Sequence, residues 1–133
     1  MIIILLARIA WQWFPGNVYV CGLLWGAAIY FAYYNWKQTH NWGWIFTVIG
    51  LGSNFTVTIL NHGYMPVVGI ISVDSWNNSI WIPATSDTYL PILADHLSLY
   101  GFSIGDIFIL SGLFIASAIY YYRYPLNKGV LDD

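Results

Sequence analysis

The side chains with most chemical potential in this chain are two histidines and a few carboxylates downstream of an apolar run. His62, His96 and Asp95 are types that coordinate divalent metal, but they lie about thirty residues apart with no tight ligand spacing. Asp95 and Asp106 could form a carboxylate pair doing acid–base work. Their structural reading is a helix cap for Asp106 and an acceptor for the Met65-Pro66-Val67 backbone in Asp95, and that reading is preferred. Asn54, in the middle of an apolar run, must face protein, pigment, quinone or water, because an unpaired amide in hydrocarbon is costly. Arg8 is a charge inside an apolar stretch, which reads either as functional or as snorkelling from a short interfacial helix. His62, Asn54 and Arg8 are thus the weak candidates for touching a cofactor. His62, His96 and Asp95 are the weak candidates for metal, although no metal is expected. Cys21 is the single cysteine and reads as a small buried hydrophobe. No Gly-x-Ser-x-Gly, HExxH, P-loop or paired-cysteine motif occurs. The chain carries no recognisable nucleophile with its base, so an enzyme is not the expected class.

What must position these residues follows from composition. Of 133 residues, 59% are apolar and only 8% charged, with a mean hydropathy of +0.62. Soluble domains carry roughly 25% charged residues, so this chain is too poor in charge to cover a water-facing surface. It reads as a single all-α integral membrane domain over 1–133. The net charge is −2 and no basic patch is present, which argues against nucleic acid as a partner. One residue in five is aromatic, a bias suited to the two membrane interfaces.

Three full spans are expected, at 18–34, 43–61 and 104–122. Residues 1–14 read either as a short apolar interfacial helix or as a fourth span, although about 21 Å of helix falls short of the roughly 30 Å hydrocarbon core. The first span contains Gly22-x-x-x-Gly26, a spacing that lets helices approach closely. Ser103-Ile104-Gly105-Asp106 has the spacing of a capping box opening the last span. Residues 62–102 make a long cap, expected to contain a short interfacial helix or a strand pair, with Ile80-Trp81-Ile82 as a strand. At its entrance Asn61-His62-Gly63-Tyr64-Met65-Pro66-Val67 forms a fixed corner: Asn61 and Gly63 make the turn, and Met65 and Pro66 pack back on the bundle. Lys37, Arg123 and Lys128 fall on one side, whereas 62–102 has no basic residue. The positive-inside rule then places a multi-pass protein in the cell membrane, C-terminus cytoplasmic and cap outside.

The stretch 50–67, with its internal Asn54 followed by Asn61, Gly63, Met65, Pro66 and Val67, resembles a bacterial family of small polytopic membrane proteins of unknown function. That family carries an Asn-Gly-Gly-x-Met-Pro-Val motif, and here His62 stands at the first of its two glycines. Thr88, Leu90, Pro91, Leu93 and Asp95 match a later extracytoplasmic stretch, and Gly105-Asp106 a Gly-Asp opening the last helix. The resemblance covers roughly 43–122. It implies an architecture and supplies no reaction.

The functional expectation is a structural or accessory subunit of a larger membrane complex, respiratory or photosynthetic, contacting partner helices, lipids, pigments or quinone. The alternatives are a channel-like homo-oligomeric transporter with Asn54 on its path, and a membrane-face enzyme using Asp95, His96 and Asp106.

Overall fold

The computed structural model describes residues 13–14, 16–69, 80–96 and 102–123. The 1–14 helix with Arg8 falls almost wholly outside them, as do Asp74 and Lys128. Among the described residues there are three long helices: α1 (Val18–Thr39), α2 (Gly43–Leu60) and α3 (Ile104–Arg123). Between α2 and α3 come the strands β1 (Met65–Val68), β2 (Trp81–Pro83) and β3 (Asp95–His96), with one turn of 3-10 helix at Pro91–Leu93.

α2 is the centre of the bundle. It packs against α1 on one side and α3 on the other, while α1 and α3 touch each other little. The face α1 turns to α2 is a stripe of Cys21, Trp25, Ala28 and Ala32, all buried and spaced at helical intervals. Phe31 closes on Trp44 edge to face at 6.0 Å. On the far side of α2, Phe46 stacks on Phe108 of α3. Two helices, Gly43–Leu60 and Ile104–Arg123, are long and apolar enough to cross a membrane. Only 39% and 28% of these segments is buried, so most of their apolar surface points away from the protein. α1 has the length, about 33 Å, but its tyrosines and Asn35 make it less apolar. It also runs five residues past the expected 34, to Thr39.

The cap corrects the all-α expectation. Its strands form a small parallel sheet ordered β2-β1-β3. Met65 pairs with Trp81 and Val67 with Pro83 on one side, and Val67 with Asp95 and Val68 with His96 on the other. A proline in a central strand normally removes a ladder bond. Here Met65 and Val67 bond the β2 side, through Met65 N–H to the Ile80 carbonyl (2.8 Å) and Ala84 N–H to the Val67 carbonyl (2.9 Å). Pro66 therefore presents its nitrogen to the β3 side, before that pairing begins. Met65, Pro66 and Val67 are all buried against the bundle, and the Thr58 hydroxyl donates to the Met65 sulfur at 3.6 Å.

Candidate functional site: a sealed polar ring between two helices

α2 and α3 run antiparallel so closely that their backbones touch. A methyl group added at Gly43 would strike the backbone of Ala116, and one at Gly50 the Gly105 carbonyl and Ile109. One added at Gly112 would strike Thr47, and one at Gly105 the side chain of Asn54. Gly43 and Gly50 are seven residues apart, as are Gly105 and Gly112. With Thr47, Asn54, Ile109 and Ala116 they make the alternating four–three spacing of a left-handed helix seam. This pairing of seven-residue glycine intervals is the signal that the shorter Gly22-x-x-x-Gly26 pattern obscured. Among the described residues Gly22 and Gly26 themselves meet nothing: a methyl group at either would touch none of them.

At the cap end of this seam Asn54, Ser103 and Asp106 form a closed ring. The Asn54 amide N–H donates to the Asp106 carboxylate at 2.9 Å. The Ser103 hydroxyl donates to the Asn54 carbonyl oxygen at 2.8 Å and accepts from the Asp106 backbone N–H at 3.0 Å. The second Asp106 carboxylate oxygen accepts from the Ser103 backbone N–H at 3.3 Å. The last two bonds make the reciprocal capping geometry at the start of α3, and the first two bind that start to α2. All three residues are buried. Asn54 thereby faces protein, and the absence of a side chain on Gly105 is what lets its amide reach the cap.

The opposite end has its own asparagine, between α1 and α2. Asn41, buried, donates from its amide to the Ala116 carbonyl of α3 at 2.9 Å. Its oxygen accepts from the Gly43 backbone N–H at 3.0 Å, capping α2. The available signal was an Asn just ahead of an apolar helical run.

The corner after α2 is a C-terminal cap of the Schellman type. Gly63 N–H reaches the Thr58 carbonyl at 2.9 Å and His62 N–H the Ile59 carbonyl at 3.2 Å. His62 is the left-handed residue of this motif, with φ +59°, and Gly63 follows at φ +85°. The histidine where the resembled family has glycine thus adopts a glycine-like conformation. His40 does the same after α1, at φ 48°, its N–H bonded to the Trp36 carbonyl at 2.7 Å. Asn61 holds the loop beyond: its amide donates to the carbonyls of Val57 (2.6 Å) and Tyr89 (3.0 Å), and its oxygen accepts from Tyr89 N–H (3.1 Å).

Asp95 is buried beneath the sheet. Its carboxylate accepts from the Trp81 indole N–H at 2.9 Å, joining the two outer strands across β1. It lies in the sheet while Asp106 lies in the helix seam, each tied into its own hydrogen-bond set. His62 is exposed and lines an open depression of about 370 Å³ with Asp87, Thr88 and Tyr89. His96 sits in β3 beside Val68. Among the described residues no three His, Cys, Asp or Glu side chains gather where a metal could be held. The arrangement can therefore lock helices and a cap together.

No curated protein and no solved structure matches this chain. A family model does match, over residues 1–118, and its description is a family of unknown function, DUF5317. With most of its length matched, the chain belongs to that family.

Proposed function

We propose that the protein is a non-catalytic accessory subunit of a membrane complex, of the respiratory or photosynthetic kind. On this reading it is held in the bilayer by α1, α2 and α3, with 62–102 outside and the C-terminus in the cytoplasm. The observation that carries it is the contrast among its helical glycines. Those at 43, 50, 105 and 112 are filled by a neighbouring helix of the same chain, whereas, among the described residues, Gly22 and Gly26 on α1 meet nothing, as does Gly52 alone on α2. Small residues four apart on an apolar helix let a second helix approach to backbone contact. Around them Tyr19, Leu23 and Tyr30 are exposed, giving a smooth groove with aromatic rims. Crossing of the membrane by α1 belongs to this proposal and is supported by its length and by the outward-facing apolar surface of α2 and α3 beside it.

The occupant is a transmembrane helix of a different subunit. Extraction in mild detergent followed by native electrophoresis should find the chain in a larger assembly. Gly26→Leu should release it while the helix content and thermal unfolding of the isolated chain stay unchanged, because none of the described residues opposes the new side chain. A chain that purifies alone as a monomer, wild type and variant alike, would refute the reading. The channel-like alternative gains no support from Asn54, whose amide is committed on both sides to Ser103 and Asp106.

A further inference from the structure

A cleft of about 580 Å³ opens between α1 and α3 at the end of the bundle opposite the cap. It exists because α1 and α3 both lean on α2 and touch each other little. Its size lies within the ordinary range for small-molecule sites. Its lining is graded along the helix axis. Asn35, Thr39 and Arg123 form a polar mouth, and Trp44, Leu113 and Tyr120 form apolar walls. Leu113 lies ten residues before Arg123, about 15 Å along α3, which is half the thickness of a hydrocarbon core.

Arg123 is held at the mouth by donating from one guanidinium N–H to the Thr39 carbonyl at 2.9 Å, across the gap between the two helices. A guanidinium has five such donors in a rigid fork suited to phosphate oxygens. Lys37, in the last turn of α1, adds a second cation at the same end. The acids among the described residues, Asp87, Asp95 and Asp106, belong to the cap and to the first turn of α3, at the far end. Among the described residues the charge at this end is therefore positive only, and Arg123 carries it at the mouth of the cleft itself.

From these features we infer that the cleft is a binding site for one anionic phospholipid. Its phosphate sits on Arg123, and one acyl chain descends between α1 and α3 over Trp44 towards Leu113. A quinone would fit the slot but carries no charge for Arg123 to recognise. Basic pockets between helices at a membrane surface favour anionic head groups in this way. The inference rests on the membrane reading above and is independent of any partner subunit.

The test is tryptophan quenching by brominated phosphatidylglycerol and brominated phosphatidylcholine, titrated into the detergent-solubilised full chain. Phosphatidylglycerol should bind about fivefold more tightly, the factor expected for one cation at the surface. The quenching should fall in Trp44→Phe, which identifies the reporter. Arg123→Gln should lower phosphatidylglycerol affinity to that of phosphatidylcholine, and Arg123→Lys should keep most of the preference. Ser117→Phe, which fills the cleft from an exposed position and leaves Arg123 in place, should abolish binding with an unchanged circular dichroism spectrum. Equal affinity for the two lipids would overturn the inference. So would a preference for phosphatidylglycerol that survives Arg123→Gln, or binding that survives Ser117→Phe. Alkaline extraction of native membranes separates the two levels: release of the wild-type chain would break the membrane reading itself, whereas a retained chain without lipid preference breaks only the site.

Discussion

α1 and α3 flank the same central helix, yet they meet it in different ways. The α2–α3 seam is built from glycine on both sides and is closed at each end by a buried asparagine, Asn41 bonded to Ala116 and Asn54 to Asp106. The α1–α2 contact is built from side chains, Trp25 and Phe31 against Trp44 and its neighbours, while the glycines of α1 point outward. If the helices lie in a bilayer, as proposed above, there is little hydrophobic gain in bringing two of them together, so close packing and interhelical hydrogen bonds must supply the attraction. The α2–α3 pair has both and is complete within the chain. α1 meets α2 through Trp25 set among the small residues Cys21, Ala28 and Ala32, and leaves Gly22 and Gly26 without a neighbour among the described residues.

The largest expected effect comes from breaking the seam. Gly105→Leu places a side chain on the Asn54 amide and the Gly50 carbonyl, neither of which can move away without parting α2 from α3. It should destabilise the fold by about 3 kcal/mol or more, read as the denaturation midpoint followed by circular dichroism in mild detergent. Gly26→Leu, at the open face, is the counterpart that should leave this midpoint unmoved. Asn54→Leu follows at about 2–3 kcal/mol, since it strips a donor from the buried Asp106 carboxylate and an acceptor from Ser103. Preserved stability in that variant would show that the ring contributes nothing to helix pairing. Asn41→Ala should cost about 1–2 kcal/mol, combining a lost helix cap with a lost partner for the Ala116 carbonyl. Faster hydrogen exchange at the start of α2, with the cap end unaffected, would locate that loss. The smallest change is expected at His62→Gly, where relief of left-handed backbone should raise stability by up to about 1 kcal/mol. A decrease there would mean that the imidazole itself holds the corner.

Several of these features were visible in the linear sequence because they depend on neighbours. The spacing Ser103-x-x-Asp106 states a capping box within four residues, and Asn61 to Pro66 carries its own turn chemistry. Asn54 stood out because its surroundings are apolar, which is a local property. Its partners were not visible, since Ser103 and Asp106 lie about fifty residues away and only the antiparallel return of α3 brings them to it. Gly22-x-x-x-Gly26 and the pair Gly43/Gly50 are equally plausible packing motifs when read as strings. Which of them is filled depends on how α2 is oriented between its neighbours, and a pattern within one helix does not contain that orientation. The parallel pairing was missed for a related reason: strands of two to four residues, with eleven or twelve residues between them, carry no periodicity, and their register exists only in the pairing.

What the sequence by itself determined is the apolar, charge-poor character of the chain, the approximate places of its long helices and the chemistry of its turns. All of these follow from side-chain transfer energies and local backbone preference. Only the tertiary structure decided which glycines seal a seam and which stay open, that Asn54 closes onto the cap of α3, and that Arg123 reaches Thr39 over a graded cleft. Those outcomes depend on distances between segments far apart in the chain, and such distances come from packing, which no local preference encodes.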